Sequence, residues 1–243
     1  MKSIKTYIPN TITCLNLLCG AAACVASFHQ SDFVTVGSTT LSGLHLAFIL
    51  IAAAAVFDFC DGLSARALKA YSPMGKELDS LSDLVSFGLA PSFLVLNTML
   101  AHGGHAWVAF LSLMIALCGA LRLAKFNIDT RQTTSFIGLP IPANAIFWIG
   151  ALGWAECHGY PGDWVMAALI IVMSLLMVSE LRMFSLKFSS LAVRDNVRRY
   201  VVLAAAVLFI FTDGLAGLAW TIVLYTLISL LGKRTDPDKL KEE

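Results

Sequence analysis

Four aspartates stand beside or inside long apolar stretches of the chain, where a carboxylate is costly. Asp58 and Asp61 follow the uncharged run 47–57, and Asp79 and Asp83 stand at the start of the next apolar stretch. A charged side chain in a membrane helix costs roughly 2.5–3.5 kcal/mol at the bilayer centre and less near the helix ends, and neighbouring carboxylates repel one another. Because such a cluster persists where a cation binds, the four residues predict a metal site.

Helical spacing predicts that these aspartates share faces with small and polar residues. A helix turns about 100° per residue, so two sets of side chains each fall on one face: Asp58, Asp61, Gly62, Ala65 and Arg66 on the first helix, and Gly75, Asp79, Ser82, Asp83 and Ser86 on the second. A short turn at 71–73 joins the helices, which lets the acidic faces meet. Carboxylate oxygens suit Mg²⁺ or Mn²⁺, and four carboxylates can hold two metals that clamp a phosphoryl group under attack.

The small residues on the acidic faces predict space for a ligand. Gly62, Ala65 and Gly75 leave room for a bulky group to approach the backbone, although small residues also serve helix–helix packing in membranes. The aspartates beside them favour the ligand interpretation. Arg66 stands one turn beyond Asp61, where it can either reach a phosphate or anchor the helix at the cytoplasmic face.

The elements that must position these side chains are predicted to be membrane helices. The 243 residues are 58% hydrophobic and 14% charged, against roughly 45–50% and about 25% in soluble domains. This excludes an ordinary soluble protein, a disordered chain and a nucleic-acid binder with a basic surface. Because a backbone in lipid must satisfy its own hydrogen bonds, the fold is predicted to be all-α and polytopic. Eight apolar segments are the predicted spans: 8–28, 43–63, 84–101, 106–124, 143–157, 164–180, 200–212 and 215–231.

The basic residues predict how these helices cross the membrane. Cytoplasmic loops are enriched in lysine and arginine. With eight crossings and both termini in the cytoplasm, all 17 basic residues fall in the inner segments and none in the outer loops. The inner segments are the N-terminus, 64–83, 122–142, 181–199 and the C-terminal tail, and the outer loops lie near 29–42, 102–105, 158–163 and 213–214. We expect residues 1–243 to form a single integral membrane domain in the cytoplasmic membrane.

The acidic segment resembles the signature of the CDP-alcohol phosphotransferase family. Residues 58–83 follow the pattern DxxDGxxAR-x8-GxxxDxxxD, with eight fixed residues at fixed spacing and no departure at any motif position. Segments 79–91, 122–127 and 136–143 are similar to the branch of the family that uses serine, as is the N-terminal stretch 9–16, so the motif-bearing part is 9–143. One departure is Lys125, where arginine is more usual in that branch.

The resemblance implies a fold, a cofactor and a reaction. It implies a six-helix membrane core, a homodimer and a site open to the cytoplasm, with the extra helices added to that core. Two divalent metals, Mg²⁺ or Mn²⁺, would be bound by the four aspartates, and Asp83 would also be the general base. Gly62, Ala65, Arg66, Gly75 and Asp79 would hold the CDP and its diphosphate. The expected substrates are L-serine and CDP-diacylglycerol. The expected surroundings are membrane phospholipids, and no nucleic-acid partner is expected.

Other polar residues are candidates for contacts to the substrates. Arg122 and Asn127 stand at the cytoplasmic end of the fourth span and can bind the serine carboxylate, but Arg122 can equally be a membrane anchor. Ser82 and Ser86 can contact the ligand or bond to the backbone of their own helix. Three residues near the N-terminus can bind the nucleotide or pack between helices: Asn10, Thr13 and Asn16.

Two alternative functions stay open at this point. A sibling enzyme of the family would use a phosphorylated acceptor such as glycerol phosphate or inositol phosphate, for which Arg122 with Lys125 or Arg131 can supply a second basic cluster. A cation-coupled transporter would use the aspartates differently. Transporters usually bind their ions near the midplane in broken helices, whereas these aspartates stand near the cytoplasmic helix ends.

Overall fold

The chain is mostly helical. The computed structural model describes residues 7–29, 32–36, 39–129, 136–184 and 193–231. Within them, a helix lies at each of the eight predicted positions. In chain order these are α1 Tyr7–Ala26, α2 Gly43–Leu68, α3 Pro73–Ala101, α4 Ala106–Ile128, α5 Ile141–His158, α6 Asp163–Val178, α7 Val193–Asp213 and α8 Ala216–Leu231.

Length and composition mark four of these helices as candidate membrane spans. In the described part of the chain, α1 to α4 are long and apolar enough to cross a bilayer, and α6 and α8 are apolar but shorter. Large apolar side chains cover the outer faces, and Phe211 on α7 is 88% exposed. Exposed apolar area on this scale is unusual for a soluble protein and fits a polytopic membrane protein. The count of eight crossings stays a prediction.

The chain is mostly helical, as predicted, and two short antiparallel pairs of strands join the helices. Strands β1 (Asp32–Val36) and β2 (Thr39–Ser42) form a hairpin before α2, where the sequence is rich in the β-branched valine and threonine that favour strands. Strand β3 (Phe136–Ile137) pairs with β4 (Arg182–Met183). This second pair ties the segment before α5 to the segment after α6.

The third helix begins at the predicted turn and changes its winding along its length. The predicted apolar span starts at residue 84, and α3 runs from Pro73 as an α-helix to Asp83, as a π-helix over Leu84–Leu89 and as an α-helix again from Ala90. The polar residues 73–83 thus continue directly into the apolar span, as the shared face of Gly75, Asp79 and Asp83 predicted. Short π-helical segments are frequent at functional sites, and this one follows Asp83 directly.

Small residues allow close helix crossings in the interior. A Cβ on Gly20 would collide with Ser86 of α3, and one on Gly150 would collide with the backbone of Ala219 on α8. Membrane helices associate through such small residues, because lipid supplies no hydrophobic drive between helices. Trp148 of α5 has the largest of the fully buried side chains in the described part of the chain.

Polar contacts tie the helix ends together on two opposite sides of the bundle. On one side, Lys76 Nζ donates to the Asn127 carbonyl at 3.3 Å, and Lys125 Nζ lies 2.5 Å from Glu180 Oε1. The described basic residues of α2 to α4 belong to this side. Predicted inner residues in 1–6, 130–135, 185–192 and 232–243, including Arg131, lie outside the described ranges.

The opposite side is held by a carboxylate at the start of α6. Asp163 accepts hydrogen bonds from the His105 backbone N–H and from the Tyr160 hydroxyl, both at 2.7 Å. Burial and the hydrogen bond to Asp163 raise the pKa of the Tyr160 hydroxyl above its usual range. The His105 bond fastens the loop before α4 to the start of α6, and the Tyr160 hydroxyl holds the same carboxylate from the loop between α5 and α6.

We expect Gly150→Leu to destabilise the protein, because its Cβ would meet the Ala219 backbone at the α5–α8 crossing. Overpacking of a dense interior costs about 1–3 kcal/mol. Thermal unfolding in detergent measures the loss. Ala52→Leu is the matched control, since Ala52 lies on an exposed face of α2 and a larger apolar residue there should leave the melting temperature unchanged. Equal melting temperatures for both variants would contradict the close crossing.

Candidate active site

A tight turn joins the two helices that carry the aspartates. Helix α2 ends at Leu68, and Lys69 takes the left-handed conformation with φ 51°. Ser72 caps α3 by accepting a hydrogen bond from the Gly75 N–H at 2.9 Å, and Pro73 occupies the first helical position, where its missing N–H costs nothing. The chain thus reverses within four residues, close to the predicted turn at 71–73.

Helix α1 packs against both acidic helices. It contacts α2 along much of its length and also contacts the first part of α3 and its π-helical segment, whereas α2 and the first part of α3 make few contacts with each other. The sequence predicted only that the two acidic faces meet. The structure shows that they face each other across a gap with α1 against both.

Three aspartates converge in this gap. Asp58, Asp61 and Asp79 can each offer one oxygen, and these oxygens all lie within 4.8 Å of one another. The Asp58 carboxyl group also interacts directly with that of Asp83. Asp61 is buried, and the other three are partly buried. The four predicted ligands therefore form one cluster, with Asp83 at its edge.

The cluster fits divalent metal ions. Within the described ranges, no lysine, arginine or histidine forms an ion pair with any of the four aspartates. Several carboxylates in partly buried surroundings need a compensating charge. Hard cations such as Mg²⁺ and Mn²⁺ prefer all-oxygen ligands of this kind. The donor set therefore suits divalent metals, and Asp58, Asp61 and Asp79 are the residues spaced to hold one together.

Two residues predicted to contact the nucleotide, Thr13 and Asn16, bond to the aspartates. The Thr13 hydroxyl lies 2.6 Å from Asp61 Oδ2, and Asn16 Nδ2 donates to Asp83 Oδ1 at 3.2 Å. Both side chains come from α1 and are buried. Thr13 also lines the cavity described below, whereas Asn16 does not.

Ser82 and Ser86 also bond to α1. The Ser82 hydroxyl donates to the Thr13 carbonyl at 3.2 Å, and the Ser86 hydroxyl donates to the Asn16 carbonyl at 2.9 Å. Both serines are fully buried. The two serines thus fasten α3 to α1 rather than bonding to the backbone of their own helix, and their predicted contact with the ligand stays a prediction.

An open cavity of about 220 Å³ lies beside the cluster. Its lining combines the end of α2, the turn, the start of α3 and the start of α1. The lining residues are Pro9, Asn10, Thr13, Asp61, Gly62, Ala65, Arg66, Ala70, Tyr71, Ser72, Gly75, Lys76 and Asp79. All five residues predicted to hold CDP are among them. Pro9, Tyr71 and Lys76 were missed as candidates, although Tyr71 and Lys76 stand within the motif.

The glycines of the motif keep this cavity open. A Cβ on Gly75 would meet the Asn10 and Ser72 side chains at 3.0 Å, and one on Gly62 would approach the Arg66 guanidinium at 3.4 Å. Arg66 is exposed at the cavity wall. A cation there, next to carboxylates suited to metals, can bind the oxygens of a diphosphate.

Arg122 lies on the other side of the cluster, in the interior. It is 6% exposed, and its Nε has no hydrogen-bond partner in the described part of the chain. Its guanidinium is within electrostatic range of Asp83 and of Tyr225 on α8. The Tyr225 hydroxyl donates to the Phe184 carbonyl at 2.9 Å. No signal in the sequence pointed to Tyr225, because it stands far along the chain in an apolar helix.

Asn127 lies at the end of α4, against the start of α3. Its Nδ2 donates to the Ser80 hydroxyl at 2.9 Å, and its carbonyl accepts from Lys76. The amide nitrogen is therefore engaged in joining two helix ends. Its predicted contact with serine stays a prediction.

Comparison with known sequences agrees with the motif. A profile described as CDP-alcohol phosphatidyltransferase matches residues 6–179, more than two thirds of the chain. The match includes α1 to α6 and therefore every residue of the aspartate cluster and its cavity. Helices α7 and α8, with Tyr225, lie outside it.

Curated proteins from distant organisms are similar to the chain. One named CDP-diacylglycerol–serine O-phosphatidyltransferase, from Bacillus subtilis (strain 168), is 40% identical over 140 residues, which is 56% of this chain and 70% of the relative. A protein of that name from Methanocaldococcus jannaschii is 39% identical over 156 residues, or 63% of this chain and 72% of the relative. Another, from Helicobacter pylori (strain 26695), is 28% identical over 228 residues, or 92% and 89%.

We expect Asp61→Asn to weaken Mn²⁺ binding at least about tenfold. Losing a residue that only supports a metal ligand already lowers the metal affinity about 10–100-fold, and Asp61 is proposed to be a ligand itself. Electron paramagnetic resonance of free Mn²⁺, with the protein in nanodiscs, measures the affinity. Glu77→Gln is the matched control, because Glu77 is an exposed carboxylate on α3 outside the cavity. Equal affinities in both variants and the wild type would contradict the metal site.

Proposed function

The chain belongs to the CDP-alcohol phosphatidyltransferase family, and we propose that it transfers the phosphatidyl group of CDP-diacylglycerol to the hydroxyl of L-serine. The products are phosphatidylserine and CMP. The observation that carries the proposal is the convergence of the four motif aspartates beside a cavity lined by the rest of the motif. The names of the similar curated proteins support serine as the acceptor.

The cavity and the aspartate cluster would bind different parts of CDP-diacylglycerol. Gly62, Ala65 and Gly75 leave space for the nucleotide against the backbone, and Arg66 binds the diphosphate from the open side. Asp58, Asp61, Asp79 and Asp83 would hold two Mg²⁺ or Mn²⁺ ions. When bound, such ions neutralise the charge that develops on the transferred phosphoryl group and the leaving phosphate. Positioning and charge stabilisation then supply most of the rate.

Asp83 acts as the general base in this proposal. It takes the proton from the serine hydroxyl while the oxygen attacks the phosphorus that carries diacylglycerol. A new P–O bond to serine forms, the P–O bond to CMP breaks, and CMP leaves with the electron pair. Asp83 suits this role because it lies at the edge of the cluster, towards Arg122.

Arg122 is the best candidate to bind the serine carboxylate. A guanidinium can make two parallel hydrogen bonds to a carboxylate. Arg122 is buried, its Nε has no hydrogen-bond partner among the described residues, and its guanidinium is within electrostatic range of Asp83. The hydroxyls of Ser82 and Ser86 and the amide of Asn127 are already bonded to protein groups. Serine held by Arg122 would present its hydroxyl to Asp83.

A phosphorylated acceptor would need further positive charge at this place. Lys125 is bonded to Glu180, and Arg131 lies outside the described residues. The pairing of Lys125 with Glu180 therefore favours serine over glycerol phosphate or inositol phosphate as the acceptor.

The proposal further includes the cell membrane as location, eight crossings, a site facing the cytoplasm and a homodimer. Light scattering of the detergent-solubilised protein tests the dimer.

An acceptor panel tests the function directly. With CDP-diacylglycerol and Mn²⁺ or Mg²⁺, we expect CMP release with L-serine and none above background with glycerol phosphate, inositol or inositol phosphate. A chelator such as EDTA should abolish the release, and added metal should restore it. CMP formed equally without serine, or only with a phosphorylated acceptor, would overturn the assignment.

We expect Asp83→Asn to lower CMP release by about 10²–10⁴-fold, the contribution of a positioned general base. Binding of CDP-diacylglycerol in the presence of metal should partly survive, because Asp58, Asp61 and Asp79 stay in place. Glu77→Gln again serves as the control for the loss of a carboxylate on α3. Near-normal turnover of the Asp83 variant would contradict its role as base.

The two arginines should affect different substrates. We expect Arg122→Gln to raise the KM for serine by about 10–100-fold, since a hydrogen bond to a charged group contributes about 1.5–3 kcal/mol, with little change in the KM for CDP-diacylglycerol. Arg66→Gln should show the reverse pattern. Steady-state kinetics in mixed micelles measure both constants, and identical patterns in the two variants would count against the separate roles.

A further inference from the structure

Two polar side chains of α1 are buried inside the helix bundle. Thr13 is 3% exposed and Asn16 is fully buried, and they stand one turn apart on the same face. Burying an amide or a hydroxyl is costly unless it forms hydrogen bonds. Their presence therefore calls for partners, and the partners that the structure shows are carboxylates of the aspartate cluster.

Each of these side chains bonds to a different acidic helix. Thr13 contacts Asp61 on α2 at 2.6 Å, closer than the 3.0 Å to the Pro9 carbonyl of its own helix. Asn16 donates to Asp83 on α3. One face of α1 thus reaches carboxylates that are supplied by two separate helices.

The backbone of the same two residues fastens α3. Their carbonyls accept the hydrogen bonds of Ser82 and Ser86, the residues that flank Asp83 on the inner face of α3. Gly20, one turn beyond Asn16, brings the α1 backbone against Ser86 with no room for a Cβ. The π-helical segment therefore begins between the two serines that fasten α3 to α1.

These contacts oppose the repulsion among the aspartates. Like charges repel, and α2 and the first part of α3 make few contacts that would resist separation. A side chain behind a metal ligand fixes the orientation of that ligand and tunes its affinity. We propose that Thr13 and Asn16 are positioning residues that set the orientation and spacing of Asp61 and Asp83 for metal binding. This inference rests on the proposed function, because it concerns the same site.

The inference differs from the predicted contact of these residues with the nucleotide. Asn16 is fully buried and is absent from the cavity lining, so it acts on the ligand through Asp83. Thr13 reaches the edge of the cavity, but its hydroxyl is engaged by Asp61. Asn10 lines the cavity without these contacts, and its predicted nucleotide contact stays a prediction.

Metal affinity without substrate tests the proposal. Mn²⁺ binding is measured by electron paramagnetic resonance on the full chain in nanodiscs, for the wild type, Thr13→Val, Thr13→Ser and Asn16→Leu. We expect about 10–100-fold weaker binding for Thr13→Val and Asn16→Leu. Thr13→Ser keeps the hydroxyl and should bind within about threefold of the wild type, by the same reasoning.

Thr11→Val is the matched control. Thr11 is exposed on the same helix, and its hydroxyl bonds to the Tyr7 carbonyl at 2.8 Å. Thr13→Val loses the same kind of bond within its helix and, in addition, the contact with Asp61. The difference in Mn²⁺ affinity between the two valine variants therefore reports the contact with the aspartate. Equal affinities would overturn the proposal for Thr13.

Stability separates positioning from general packing. We expect the metal-free melting temperature of Thr13→Ser to stay close to that of the wild type and that of Thr13→Val to fall, because Thr13→Val loses a bond between α1 and α2. Saturating Mn²⁺ should restore part of kcat in Thr13→Val while the KM for serine stays unchanged. Variants that lose stability and activity together, with Thr13→Ser as damaged as Thr13→Val, would indicate packing alone and overturn the proposal. If Thr13→Val does not fold, Thr13→Ala replaces it in the comparison with Thr13→Ser.

The proposed function and this inference can fail separately. Mn²⁺ affinity is measured without any acceptor, so a different acceptor in the panel would leave the positioning result intact. Serine-dependent CMP release together with unchanged Mn²⁺ affinity in Thr13→Val and Asn16→Leu would overturn the positioning role and leave the function standing. Absence of saturable Mn²⁺ binding in the wild type would overturn the inference outright.

Discussion

The structure depends on one physical constraint, the repulsion among carboxylates. These carboxylates are kept together at the ends of apolar helices. Asp58, Asp61 and Asp79 approach one another within 4.8 Å with no basic side chain paired to them in the described part of the chain. Such an arrangement is unfavourable by itself and becomes favourable when divalent cations bind. The tight turn before α3, the small residues and the contacts of α1 all act to keep the charges close.

The position of the cluster also suits the two kinds of substrate. A lipid with two acyl chains stays in the bilayer, whereas a nucleotide and an amino acid are polar. The exposed end of the cavity, at Arg66 and Tyr71, lies where the apolar length of α2 gives way to the turn. The buried side, at Arg122, lies in the interior of the bundle. The transferred phosphoryl group would meet both at the aspartates between them.

The sequence predicted the parts of the site that depend on local spacing. The helical period alone assembles Asp58, Asp61 and Asp79 with the glycines of the cavity, because they lie on two helices joined by a short turn. Contacts across long stretches of chain were beyond such reasoning. The bonds of Thr13 and Asn16 to the cluster depend on how α1 packs, and Tyr225 depends on α8 returning to Arg122. The π-helical winding after Asp83 could not be predicted, because the segment is uniformly apolar and its hydrophobic pattern shows no helical period.

The order of the helices along the chain has a consequence for biogenesis. Chains fold from the N-terminus as they are synthesised, and the aspartates with their partners on α1 all belong to the first three helices. The aspartate cluster and its partners on α1 are therefore all present once α3 has been synthesised. Arg122 follows with α4, and Tyr225 arrives only with the last helix, α8. A nascent chain would thus hold the proposed metal ligands before the proposed acceptor-binding residue, and an ion bound early would oppose the repulsion while the rest of the bundle is still being made.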